Sequence, residues 1–193
     1  MVKIVLFNGP PSSGKDTLAN QLVLRIPRSE VVKFAAPLKT VATHLYCDGD
    51  SRKFYELDQA DKKNTPHPTF LGKSCRQVQI DISEVYMKPM HGKHVFGEFL
   101  KRTINRKVDS TDVFFVSDSG FREEAEVLVE EFGPQNILLV RLKREGFDYK
   151  NDSRDYIDLK DLEVKQVNVV NVENDINATL KEVEKVVKEF LGA

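Results

Sequence analysis

Residues 8–17 read Asn8-Gly9-Pro10-Pro11-Ser12-Ser13-Gly14-Lys15-Asp16-Thr17, and the reading of this stretch decides the fold. Gly9, Gly14 and Lys15 fit the glycine-rich phosphate loop G-x-x-x-x-G-K-[ST]. Asp16 stands where that pattern has a hydroxyl. Upstream, Val2 to Phe7 is a nearly continuous apolar run that ends on Gly and Pro, which predicts a buried strand. Downstream, the stretch from Thr17 places Leu18, Leu22 and Ile26 at helical spacing and stops before Pro27. Strand, glycine loop, helix is the context a phosphate loop requires.

Each part of the loop has a physical task. Gly9 and Gly14 permit backbone geometries and close approaches that a side chain blocks. The loop amides and the helix N-terminus converge on an anion. Lys15 adds a positive charge that reaches a transferring phosphate, and Thr17 opens the helix with a hydroxyl. Asp16 is repelled by bare phosphate oxygens but attracted by Mg²⁺, which favours carboxylate and phosphate oxygens. Three roles stay open for it: ligand to the metal or its waters, orienter or base for an acceptor oxygen, and an acidic residue favoured by the helix dipole.

Working outward, Glu30 to Phe34 predicts a second strand and Pro37 opens a second helix. Residues 47–72 are polar and irregular, with Gly49, Pro66, Pro68 and Gly72, and read as a long loop. Ser74 to Tyr86 and Val95 to Arg106 read as helices separated by Lys-Pro-Met-His-Gly-Lys-His. Val113 to Val116 is a buried strand ending on Ser117 and Asp118. The following amphipathic helix stops at Gly133, and Ile137 to Leu142 is another buried strand. Residues 143–158 are charged, with only a few aromatics, and read as a coreless segment. A last strand at 164–172 precedes a helix with Ile176, Leu180, Val183, Val186, Val187, Phe190 and Leu191 on one face. This alternation predicts an α/β fold: a P-loop NTPase three-layer sandwich on a parallel five-stranded sheet. Ligands bind at the C-terminal edge of such sheets.

The 193 residues suit one domain: a core of 1–47, 107–142 and 164–193, an insertion of about 48–106, and a lid of about 143–163. Lys and Arg total 29 and Asp and Glu 30, a net charge of -1. Neither nucleic acid nor an anionic membrane is the expected partner of so balanced a chain. Cys47 and Cys75 have no C-x-x-C spacing and read as reduced thiols, and the four histidines show no metal-binding spacing. There is no secretory signal in the N-terminal run and no apolar stretch near the roughly 20 residues that span a bilayer. The expected location is cytoplasmic, in the host cytoplasm for a viral chain, as a monomer or homodimer.

The series Gly-Lys-Asp-Thr (14–17), Phe-Ala-Ala-Pro-Leu-Lys (34–39), Asp-Ser-Gly-Phe-Arg-Glu-Glu-Ala (118–125) and Val-Arg-Leu-Lys-Arg-Glu-Gly (140–146) resembles the phage-type deoxynucleoside monophosphate kinases, a branch of the P-loop nucleoside monophosphate kinases. The resemblance runs through the whole chain in order, with the first loop its most specific part. It implies transfer of the γ-phosphate of ATP to a deoxynucleoside monophosphate, with Mg²⁺. Gly9 through Thr17, including Ser12 and Ser13, matches the ATP loop, and Asn174-Asp175 matches a pair near the adenine. Lys39 matches the segment opening the monophosphate site, and Arg76 matches a helix arginine in the acceptor site. Asp118 matches the aspartate ending the third strand, with Asp16 and Thr17 a candidate for holding magnesium. Arg141 matches an arginine closing the next strand, and Asp152-Ser153 matches a short lid motif. The family reads D-x-R-F-x-x-E after the third strand, whereas Gly120 here replaces the arginine, with Arg122 close by. The family lid reads D-[ST]-H, whereas Arg154 here replaces the histidine.

Phosphoryl transfer needs alignment and positive charge around the moving group. Lys15 with Arg141, Arg144 and Arg154 are the candidates. A solvated charged face is the ordinary alternative for such a run, as surface ion pairs are for Lys39 and Arg76. Other small-molecule P-loop kinases, acting on phosphomevalonate or dephospho-coenzyme A, share these features. A GTPase-type switch is the third class, but Asp118-Ser-Gly-Phe misses D-x-x-G and no N-K-x-D occurs.

Overall fold

The computed structural model describes residues 2–59, 61–150, 152, 154–171 and 175–192. In chain order the elements are β1 (Lys3–Asn8), α1 (Lys15–Val23), β2 (Ser29–Val32), α2 (Ala36–Cys47), α3 (Ser51–Leu57), α4 (Cys75–Ile80), α5 (Lys88–His91), α6 (Val95–Asn105), β3 (Val113–Ser119), α7 (Arg122–Phe132), β4 (Ile137–Lys143), β5 (Lys165–Val170) and α8 (Ile176–Leu191). Two compact units emerge, one of Met1–Phe34 with Gly97–Ala193 and one of Ala35–Phe96.

The first unit holds the sheet. Its strands are all parallel, in the order β2-β3-β1-β4-β5. Strand residues alternate between faces. Val5, Phe7, Phe115, Leu138 and Val140 therefore share one face, where they pack with Leu18 and Leu22 of α1 and Leu180, Val183 and Val187 of α8. Ile4, Leu6, Phe114, Val116 and Leu139 are equally buried on the other face, and α7 lies against β4 there. The three layers follow from strands that are apolar on both faces and helices that are apolar on one. Because the strands are parallel, Asn8, Ser119 and Lys143 end at one edge.

The first helix is shorter than its apolar spacing predicts. It stops at Val23, and a further turn carries Ile26 back into the core. The charged segment after β4 is not coreless either. Ile157 and Leu159 are buried, and the rings of Tyr149 and Tyr156 meet edge-on at 5.1 Å. Asn8 stitches this strap to the sheet: its Nδ2 donates to Tyr149 Oη, Asp155 O and Ser119 O, and its Oδ1 accepts from the Ile157 amide.

In the second unit the expected loop of 47–72 contains order. Asp50 caps α3 by accepting from the amides of Arg52 and Lys53. Pro68–Phe70 forms a 3₁₀ turn. Phe54 and Phe70 lie in a small core with Ala42, Cys47, Cys75 and Val78, their rings 6.3 Å apart and edge-on. Both cysteines are buried and free. Between α4 and α5 the helix continues through a π-helical stretch, Asp81–Met87, and ends at Gly92. The segment around Pro89 is thus helical rather than a separator. Tyr55 and Tyr86 are exposed. No helix among the described residues is long and apolar enough to cross a membrane.

Candidate phosphoryl-transfer site

The glycine loop runs from the end of β1 into α1. Ser12 and Gly14 both have positive φ, 62° and 97°, a conformation in which successive amides form an anion-binding nest. Gly14 has a second reason to be glycine: a Cβ there would lie 2.7 Å from Asn171 Nδ2. Asn171, just past β5, donates from Nδ2 to the Ser13 carbonyl at 2.9 Å, and its Oδ1 accepts from Thr179 Oγ1 of α8 at 3.1 Å. The loop is therefore buttressed from behind by the last strand and the last helix.

Lys15 is buried at 7% exposure. Its ammonium donates to the carbonyls of Gly9 and Pro10 at 2.6 and 2.7 Å, and Ser13 Oγ lies 3.4 Å away. Burial, reinforced by the positive charge of Arg154, lowers its pKa to about 8, against the pull of Asp16, Asp118 and Asp152. A buried cation held short of full compensation is a ready partner for a polyanion.

Asp16 is held by two neighbours. Lys33 Nζ and Ser117 Oγ both donate to its Oδ1, at 2.6 and 2.7 Å. Burial raises its pKa, but the bond and charge of Lys33 and the Ser117 bond outweigh that and keep the carboxyl below the usual range. It is thus ionised. Among the described residues Oδ2 has no hydrogen-bond partner, which leaves it for a metal or its water. No cluster of three or more His, Cys, Asp or Glu that could hold a metal occurs among the described residues. Magnesium in such a site is shared with phosphate, and one or two carboxylates suffice. Asp16 with the exposed hydroxyl-bearing Thr17 fits that donor set. Asp118 is turned to structure on one side: its Oδ1 accepts from the Phe34 amide at 2.9 Å.

A cavity of about 450 Å³ opens over the loop, with Lys15, Asp16, Thr17, Arg144, Asn171 and Ile176 among its lining. Arg144 reaches it from beyond β4, donating to Ser12 O at 2.8 Å and stacking on Phe147 at 4.4 Å. Arg154 pairs bidentately with Asp152, Nε to Oδ1 at 2.9 Å and an Nη to Oδ2 at 2.7 Å. That bond raises the pKa of Arg154 and keeps it charged.

The other candidates lie elsewhere. Arg141 faces Asp158 of the strap at 3.9 Å, and its Nε is buried without a partner among the described residues. Arg122 is occupied by Glu126, Asp161 and the Asp158 carbonyl. Lys39 pairs with Asp58 at 2.5 Å in the second unit, where the Arg76 amide donates to Lys63 O. Asn174 and Ser153 lie outside the described residues. Lys33, Ser117, Asn171 and Asn8 build the site without a local pattern that marks them for it. Asn8 and Asn171 are polar residues at the ends of apolar strands, a signal that marks a buried amide only once its partners are known.

No family model and no curated protein matches the chain. Among solved structures it is similar to a sugar kinase from Janibacter sp. HTCC2649, solved without ligand. The TM-score is 0.52 at 9% identity, covering 100% of this chain and 95% of that one. It is also similar to a dephospho-CoA kinase from Campylobacter jejuni, with a TM-score of 0.46 at 11% identity over 98% of each chain. The first is a likeness of fold, and it agrees with the sheet and loop: the chain has an α/β P-loop NTPase fold, a parallel five-stranded sheet with flanking helices.

Proposed function

We propose that the protein is a magnesium-dependent kinase that moves the γ-phosphoryl group of ATP to a deoxynucleoside monophosphate. The observation that carries the transferase part is Lys15, a buried cation at the floor of an anion nest beside a carboxylate held ionised by Lys33 and Ser117. The acceptor class rests on the resemblance of the four sequence segments.

In this reading the loop amides and Lys15 grip the β- and γ-phosphates. Asp16, Thr17 and Asp118 are the residues proposed to hold magnesium, which would supply neutralising charge to the phosphates. Arg144 and Arg154 add positive charge around the moving group. Asn171 keeps the loop in its curled form, which favours binding without a folding cost at the moment of capture. Lys39 and Arg76 are the proposed acceptor-phosphate residues, and Asn174 is proposed to lie near the adenine. The strap, stitched by Asn8, excludes water beside the transferring phosphate.

The test is ADP release in the presence of ATP, Mg²⁺ and each deoxynucleoside and ribonucleoside monophosphate in turn. Acceptor-dependent release with at least one of them is the expected result. Release only with dephospho-coenzyme A, phosphomevalonate or a sugar replaces the acceptor assignment, and GTP binding without transfer replaces the kinase.

A further inference from the structure

Residues 144–147 read Arg-Glu-Gly-Phe and fold into a reverse turn just past β4. The Phe147 amide donates to Arg144 O at 3.2 Å. Gly146, third in the turn, has φ 76°, and nothing lies within 4 Å of where its Cβ would be. Glycine is therefore there for its backbone alone, since a positive φ at the third position is the mark of a type II turn. The turn folds the fourth side chain back onto the first. Phe147 is exposed rather than part of a core, and its ring centre lies 4.4 Å from the Arg144 guanidinium carbon. That is cation–π range, and a stacked guanidinium has its plane fixed. From this position Nη1 donates to Ser12 O at 2.8 Å.

Ser12 is the loop residue for which such a bond matters most. Its φ of 62° is one that residues other than glycine adopt sparingly. The neighbouring loop carbonyls have other holders: Lys15 takes those of Gly9 and Pro10, and Asn171 takes that of Ser13. The Ser12 carbonyl is held by Arg144, from the far side of β4. Ser12 and Arg144 also line the same cavity, so distance and lining together bring the turn to the loop.

We propose that Arg144 is a positioning residue of the anion nest: the turn of residues 144–147 is a clamp, aimed by the Phe147 stack, that holds Ser12 in its left-handed conformation and so keeps the nest formed before an anion arrives. This action is separate from any charge that Arg144 lends to a bound phosphate. The consequence for ATP rests on the kinase reading, whereas the clamp does not.

Arg144→Ala, Phe147→Ala and Ser12→Gly, singly and combined, test this. Circular dichroism and unfolding midpoints establish that each is folded. The first readout needs no ligand. Backbone nitrogen relaxation of the Ser12, Ser13 and Gly14 amides is expected to give order parameters near about 0.85 in the parent and below about 0.6 in Arg144→Ala. The second readout is calorimetric binding of inorganic tripolyphosphate. Arg144→Ala is expected to weaken it at least about fivefold, the worth of one hydrogen bond. In a Ser12→Gly background the same change is expected to cost only about twofold, because glycine takes a positive φ without steric cost. Phe147→Ala alters no charge. It is expected to loosen the same amides and weaken tripolyphosphate in the same direction, and to add nothing once Arg144 is gone. The proposal is overturned by an Arg144→Ala protein with parental order parameters. It is also overturned by an Arg144→Ala loss of equal size in the parent and the Ser12→Gly background, which is the behaviour of a purely electrostatic arginine. A Phe147→Ala protein that is parental in both readouts overturns it as well. If the parent binds no tripolyphosphate, the kinase reading falls and the relaxation data still decide the clamp.

Discussion

Lys15 is a buried cation at the mouth of the first helix, and its burial gives two tests. Lys15→Ala removes the charge proposed to meet the phosphates, and turnover is expected to fall about 10²- to 10³-fold, the cost of deleting one preorganised electrostatic donor. The far-UV spectrum should stay parental, because the lysine's own bonds are to two loop carbonyls rather than to the core. The second test is pH. With the Lys15 pKa lowered to about 8 in the free protein, the ammonium is lost as pH rises through 8. A bound triphosphate stabilises the charged form and so raises that pKa. Affinity for ATP is therefore expected to fall above pH 8, by at most about tenfold per pH unit, with a net proton taken up on binding. Calorimetry in buffers of different ionisation enthalpy measures that uptake, and Lys15→Ala should abolish it. Asp16 separates its remaining roles in the same way. Asp16→Asn is expected to raise the half-saturating magnesium concentration about 10- to 100-fold, as losing a metal-orienting group does. A magnesium titration identical to the parent would leave the helix dipole as its sole use.

At the scale of elements, the loop depends on parts distant in sequence. Asn171 after β5 and Thr179 on α8 hold the Ser13 carbonyl in place. Asn171→Ala strands a buried carbonyl and a buried hydroxyl, and should cost about 1–3 kcal/mol in denaturant unfolding together with a weakened ATP affinity. An unchanged unfolding midpoint would mean that water replaces the amide. The elements also show what the sequence could convey. β1, the loop and α1 were legible because an apolar run, two glycines and a helical period speak locally. Asn171 was not legible, because its meaning lies in a contact across 158 positions of chain. The helix α3 and the Phe54–Phe70 core were hidden among Gly, Pro and charge, since α3 and the Pro68–Phe70 turn each bury one side chain fully and the pattern that joins them is spatial. Residues 143–158 misled in the same direction. Ile157, and Leu159 just past the segment, are few, yet both are buried, and one asparagine from β1 holds Tyr149, Asp155 and Ile157.

For the whole molecule, the near balance of charge and the confinement of Lys15 and Arg144 to one cavity favour a small anionic ligand over a long polyanion in the proposed reading. The fold alone does not choose among acceptors, since one P-loop scaffold supports many. Lys39 and Arg76, proposed for the acceptor phosphate, belong to the second compact unit. The measurement that bears most directly on the central claim is coupled ADP release with Mg-ATP across a full panel of deoxynucleoside and ribonucleoside monophosphates, alongside a no-acceptor control, dephospho-coenzyme A, phosphomevalonate and a simple sugar. Turnover well above the control is expected with at least one deoxynucleoside monophosphate, and is lost in Lys15→Ala. Release that no nucleoside monophosphate stimulates, from a folded protein that binds ATP, would contradict it.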